Sequence, residues 1–176
     1  SGLQQAEKLA RRLQGLKVSR IYTSDLKRAE QTAMAIASRY GLPPTATVAL
    51  RELNFGEWAG AGYQELLTKD PENYLKWLRN PLHVQPPGGE SLMELKNRVT
   101  PWLYQTLKTH QPGETILLIG HSGSLKVILF EALSLDLRAF WRMEMDLASI
   151  SRASYYDPTF VVHQVNDTCH LIEDRT

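Results

Sequence analysis

Thr115-Ile116-Leu117-Leu118-Ile119-Gly120-His121-Ser122-Gly123 is the stretch that decides the fold. The β-favouring run 115–119 predicts a buried strand. The glycines on either side of His121 predict a tight strand-to-helix turn, and Ser124 to Ala132 is helix-compatible. The imidazole then stands at the carboxyl end of a strand, beside the free N–H groups of a helix N-terminus. Open α/β sheets bind ligands there, anions in particular. A histidine that only caps the helix or fills the core fits the same pattern.

Outward from this stretch, strands and helices alternate. Leu3, Ala6, Leu9, Ala10 and Leu13 recur at helical spacing and predict a helix over 2–14. Val18 to Tyr22 predicts a short strand. Ser24 is placed to cap the next helix, with Asp25 in its first turn. Ala29, Ala33, Ile36 and Ala37 give that helix its apolar stripe, and Gly41-Leu42-Pro43-Pro44 stops it. Val48 to Leu50 predicts a strand, 62–80 a helical segment, and Pro86-Pro87-Gly88-Gly89 a loop. Ser91 or Glu90 opens a long helix carrying Leu92, Leu95, Val99, Trp102 or Leu103, and Leu107. A helix near 123–135 and strands near 147–156 and 159–166, joined at Asp157-Pro158, complete the chain. The alternation predicts an α/β fold with a largely parallel sheet, without repeats or a second domain.

Composition narrows the function classes. The chain has 176 residues, 43% of them hydrophobic, enough for one domain with a real core. Lys plus Arg (20) nearly balances Asp plus Glu (19), so no global field points to nucleic acid or to an acidic membrane surface. The single cysteine, Cys169, excludes an internal disulfide and a cysteine-built metal site. No apolar run reaches the roughly 18 residues of a membrane span. A cytoplasmic location is the default expectation, for a monomer or homodimer.

Three polar clusters carry the chemistry. Arg28 lies in the first turn of its helix, where the dipole disfavours a cation. An anionic partner resolves that conflict, since guanidinium binds phosphate bidentately; so does solvation, or pairing with Asp25 or Glu30. Glu52 sits amid Leu53, Phe55 and Trp58. A carboxyl against apolar surface suits a general acid, although pairing with Arg51 is the plainer alternative and Glu57 the competing carboxylate. His121, with the Ser122 amide beside it, is the third cluster. Together they offer a cationic clamp, a proton donor and an imidazole that can hydrogen-bond a phosphoryl oxygen.

Ser24-Asp25-Leu26-x-Arg28-Ala29-x-Gln31-Thr32-Ala33, Arg51-Glu52-x-x-Phe55-Gly56-x-Trp58 and Gly120-His121-Ser122-Gly123 resemble the histidine phosphatase superfamily, the phosphoglycerate-mutase-like group. Gly2-x-x-Gln5-Ala6, Pro86-Pro87-Gly88-Gly89-Glu90-Ser91 and Asn166-Asp167-Thr168-x-His170-Leu171 are similar to its small bacterial members, among them alpha-ribazole phosphatase and broad-specificity phosphatases. The resemblance spans nearly the whole chain. It implies a three-layer sandwich over residues 1–176 with a mostly parallel central sheet and helices on both faces. It implies Arg28 as a phosphate-clamping residue, Glu52 as proton donor to the leaving alcohol, His121 as the second histidine and Ser122 as an amide of the anion cradle. No metal or other cofactor is implied; the partner is a small phosphorylated metabolite. Residues 58–90 are expected to form a lid in which Trp58 and Tyr63 are candidate substrate contacts, unless these aromatics pack the lid itself.

One departure is large. The family's nucleophile is a histidine in an Arg-His-Gly motif ending a first strand, ahead of the Gly-x-x-Gln-Ala helix, and no Arg-His-Gly occurs in this chain. His83, His110, His163 and His170 stand in other contexts. A truncated protein, a nucleophile-less phospho-ligand binder and a chain that continues upstream all fit. The last is favoured, because a parallel sheet without an inner strand leaves backbone groups unpaired. The expected activity is a phosphomonoesterase working through phosphohistidine. A cofactor-dependent phosphoglycerate mutase is the alternative, disfavoured by the short span of about 68 residues between Glu52 and His121. A serine hydrolase using Ser122, Asp157 and His163 fails the Gly-x-Ser-x-Gly pattern at Ser124.

Overall fold

The computed structural model describes residues 2–172. Residue 1 and residues 173–176, which the expected domain limits include, lie outside the described residues. Helix α1 (Gly2–Leu13) buries Ala6, Leu9, Ala10 and Leu13, the stripe its spacing predicts. Helix α2 (Lys27–Tyr40) buries Ala29, Ala33, Ile36 and Ala37, and Gly41 ends it in the left-handed region at φ 64°. Both stripes close over Ile21 of β1 (Val18–Ser24) and over Leu117 and Ile119 of β3 (Thr115–Ile119). The next β1 residue, Tyr22, turns to the opposite face, edge-on to Trp102 of α5 (Leu92–Leu107) at 5.8 Å between ring centroids. There α5 packs on α6 (Ser122–Ala132) through Leu92, Leu95, Val99, Val127 and Phe130. Each of these fully buried side chains contributes about 1.5–3 kcal/mol of burial.

The sheet order is β2 (Thr45–Thr47), β1, β3, and both pairings are parallel. An antiparallel hairpin, β4 (Ile150–Tyr156) with β5 (Thr159–Asp167), turns at Asp157-Pro158. The expected α/β architecture, with helices on both faces of a parallel sheet, is therefore present.

Several local expectations are corrected. Val48–Leu50 is a 3-10 turn, and the strand lies just before it at Thr45–Thr47. Ser24 ends β1 instead of capping α2, whose N-cap is Leu26. The 62–80 segment is two helices, α3 (Tyr63–Lys69) and α4 (Pro71–Arg79). Pro71 supplies no backbone N–H, which ends one helix and suits the first turn of the next. Strand β3 is half-buried over Ile116–Ile119, not buried, and its one described ladder partner is β1.

Residues 58–85 form a small layer with its own aromatic core of Trp58, Tyr74 and Trp77. Its two feet are tied together. The Glu57 N–H donates to the Pro87 carbonyl at 2.9 Å, and the Glu90 N–H donates to the Asn54 carbonyl at 2.8 Å. Gly56 has φ 52°, and a Cβ there would stand 2.1 Å from the Pro87 oxygen; one on Gly89 would stand 2.5 Å from the Asn54 oxygen. The crossing admits no side chain at either position.

Candidate active site

Because β1 and β3 are parallel neighbours, with Thr23 opposite Ile119, their carboxyl ends lie side by side. Ser24 ends the first and His121 follows the second. His121 is buried and is the N-cap residue of α6. Its Nδ1 lies 3.1 Å from Nε of Arg28, and its Nε2 lies 3.0 Å from the Ser24 hydroxyl. Arginine is always a donor, so Nδ1 must be the accepting nitrogen and Nε2 carries the proton in the neutral ring. Burial, and then the Arg28 cation, push the His121 pKa below the ordinary histidine value; the Glu52 carboxylate opposes them. Arg28 thus bonds the ring and not Asp25 or Glu30. The rest of the guanidinium stays exposed.

Glu52 reaches the same turn. Its Oε1 accepts the Leu53 N–H at 2.8 Å and the Gly123 N–H at 2.7 Å, at the start of α6. A Cβ on Gly123 would stand 2.3 Å from that oxygen and 3.1 Å from the Leu53 nitrogen, and one on Gly120 would meet Ser124 Oγ at 2.9 Å. The two glycines around His121 are there for close approach; neither has a positive φ. Buried Ser124 accepts the His121 N–H at 3.2 Å and donates to the Leu50 carbonyl at 2.9 Å, joining this turn to the segment that carries Glu52. Glu52 occupies the Gly123 amide, which leaves the Ser122 amide at the helix start for another acceptor.

Arg51 does not pair with Glu52. It forms a fork with Asp25, Nε to Oδ1 at 2.8 Å and Nη2 to Oδ2 at 2.5 Å, and holds the Asp25 carboxyl below its usual range. The geometry also adds residues that the sequence left without a role at the site. Ser24 is one; the sequence marked it only as a cap. Arg98 and Glu90 are others: Arg98 lies in the middle of α5 with no local signal, and Glu90 read as a helix opener. Lys126 is buried too, donating to the carbonyls of Phe140 at 3.3 Å and Met143 at 3.2 Å, and burial lowers its pKa.

Other candidates lie elsewhere. Trp58 belongs to the aromatic core of the 58–85 layer, with rings of Tyr74 and Trp77 at 5.5 and 5.9 Å and its Nε1–H on Asp70 at 3.3 Å. Tyr63 is exposed and meets Tyr74 edge-on. The serine-hydrolase constellation does not assemble: His163 bonds Ser154, and Asp157 accepts from the Tyr155 hydroxyl. His110 is held between Tyr22 and Glu114. Among the described residues, no three His, Cys, Asp or Glu side chains group as metal ligands, and no helix is long and apolar enough to cross a membrane.

An arginine, an imidazole, a carboxyl and a helix-start amide are thus brought together at the carboxyl ends of two parallel strands, the place where open α/β sheets bind ligands. The model of the histidine phosphatase superfamily (branch 1) matches residues 1–168, and the chain belongs to that family. Phosphoserine phosphatase 1 of Hydrogenobacter thermophilus is 33% identical over 172 residues, 98% of this chain and 81% of that protein. The adenosylcobalamin/alpha-ribazole phosphatase of Escherichia coli is 29% identical, over 82% of this chain and 71% of that protein. The solved structure of Bacillus stearothermophilus YhfR superposes with a TM-score of 0.87 at 26% identity, covering 97% of this chain and 84% of that one. These phosphatase relatives support phosphatase activity.

Proposed function

We propose that the protein hydrolyses small phosphomonoesters through a phosphohistidine, whose nucleophilic histidine is supplied by sequence preceding residue 1. Residues 1–176 then form the rest of one domain, with 58–90 as its lid. The observation that carries this reading is the convergence of Arg28 and Glu52 on the His121 turn from two different elements. In the first step the histidine nitrogen bonds to phosphorus as the ester P–O bond breaks, and Glu52 gives its proton to the leaving oxygen. In the second, water attacks phosphorus and gives a proton back to Glu52, the N–P bond breaks, and inorganic phosphate leaves. Arg28, the Nε2–H of His121 and the Ser122 amide stabilise the charge on the transferring group throughout. To bind it, Nε2 exchanges the Ser24 oxygen for a phosphoryl oxygen.

The names of the relatives make phosphoserine and alpha-ribazole phosphate the first substrates to assay. The test is trapping of the full-length protein with a labelled phosphomonoester, quenched in detergent at alkaline pH. The expected product is an acid-labile, base-stable phosphoenzyme. Turnover that leaves the protein unlabelled, or that requires added bisphosphoglycerate, overturns the reading.

A further inference from the structure

Six hydrogen bonds converge on one side chain that takes no part in the chemistry above. Nη1 of Arg98 donates to the carbonyls of Val48 at 3.0 Å, Ala49 at 2.8 Å and Arg51 at 3.2 Å. Its Nη2 donates to the Glu52 carbonyl at 3.4 Å and to Oε1 of Glu90 at 2.6 Å, and its Nε reaches Oε2 of Glu90 at 3.4 Å. Glu90 closes the circuit, since its Oε1 also accepts the Asn54 N–H at 3.0 Å. The segment on both sides of Glu52 therefore hangs from one guanidinium, and that guanidinium is fixed by one carboxylate.

This arrangement is more than a helix needs to hold a loop. The 48–54 segment has no ladder of its own beyond the short β2 just before it. Without Arg98, the carbonyls of 48, 49, 51 and 52 lose a shared donor, while the side chain of Glu52 keeps its two amide bonds. The Glu52 backbone would then be free to shift relative to His121. Only the planar fork of arginine serves this many acceptors at once; a lysine ammonium keeps the charge but cannot span them.

We infer that Arg98, locked by Glu90, is the positioning residue for the proton donor Glu52. The inference rests on the role of Glu52 given under Proposed function. Proton donation matters in proportion to how basic the leaving oxygen is. Loss of Glu52 positioning therefore has a signature that general loosening of the fold lacks. Hydrolysis of an alkyl phosphate, whose alkoxide must be protonated, is hurt far more than hydrolysis of an aryl phosphate, whose phenolate leaves unaided.

The experiment compares kcat/KM for glycerol 3-phosphate and for 4-nitrophenyl phosphate in the full-length protein and in its Arg98→Lys, Glu90→Gln and Glu52→Gln variants. Inorganic phosphate inhibition is measured alongside. The expected result for Arg98→Lys is a loss of about 100-fold on the alkyl ester, as for a reacting group misplaced by about 1 Å, and of under about 3-fold on the aryl ester. Phosphate inhibition stays unchanged. Glu90→Gln, which keeps an acceptor for Asn54, follows the same pattern more weakly and keeps the test open if Arg98→Lys folds poorly. If Glu52→Gln discriminates between the esters and the other two variants lose both equally or lose nothing, the positioning role is overturned. If Glu52→Gln itself fails to discriminate, the proton-donor reading falls and the inference with it.

Discussion

The Nε–H of exposed Arg28 points at Nδ1 of buried His121, 3.1 Å away. A cation is thus bonded to a ring whose protonation it opposes. The pair presets one tautomer, with the proton on Nε2 facing the Ser24 hydroxyl.

This pairing sets a pH dependence. The His121 pKa lies below the ordinary histidine value because of burial first and Arg28 second. As pH falls through the ordinary histidine range, the unfolded chain takes up a proton that the folded chain refuses, so this group's effect is to lower stability toward acid. Arg28→Ala is expected to move the His121 pKa upward, read from the Cε1–H resonance in an NMR titration. An unchanged titration in that variant would remove Arg28 as a cause.

Gly123→Ala should damage the site more than the fold. The new Cβ would fall 2.3 Å from Oε1 of Glu52, so the carboxylate must move. Overpacking of this kind costs about 1–3 kcal/mol, whereas displacing Glu52, the proposed proton donor, is expected to lower kcat by about 100-fold. Denaturant unfolding and steady-state kinetics on the same preparation separate the two effects.

Ser24→Ala tests the other ring nitrogen. The hydroxyl is fully buried, faces Nε2 of His121 at 3.0 Å and accepts the Leu26 N–H at 3.2 Å. Leaving those donors unpaired is expected to cost about 1–3 kcal/mol of stability in urea unfolding. A cost below about 0.5 kcal/mol, the range of ordinary surface changes, would mean that water replaces the hydroxyl.

Trp77→Ala is expected to loosen the 58–85 layer. Trp77 meets Phe55, Trp58, Tyr74 and Trp141, all within 6.3 Å between ring centroids. Removing a buried tryptophan costs about 3–5 kcal/mol. Limited proteolysis should cut within 63–80 while the parallel sheet stays protected. Uniform resistance would show that the layer draws its stability from elsewhere.

What the sequence made legible followed from periodicity and punctuation. The helical stripes of α1 and α2, the stop at Gly41 and the strand before His121 each depend on neighbours within about four residues. Arg28, Glu52 and His121 came from turns at strand ends. What was missed depends on long-range partners. Val48–Leu50 is apolar, yet it forms a 3-10 turn whose first two carbonyls are held by Arg98, some 50 residues on. The glycines beside His121 predicted a tight turn, but the approach of Glu52 and Ser124 that requires them comes from a distant segment and from the helix itself. Strand β3 is apolar enough for burial on both faces, but its one described neighbour leaves it half covered.

The knot of Gly56 and Gly89 gives the 58–85 layer a particular standing. Its entry and exit strands of chain touch backbone to backbone, so whatever lies between them closes a loop that is already shut. Lengthening such a loop costs little, about 0.6 kcal/mol per doubling. The layer can therefore change in length while Glu52 and Arg98, both outside the closed loop, stay in place.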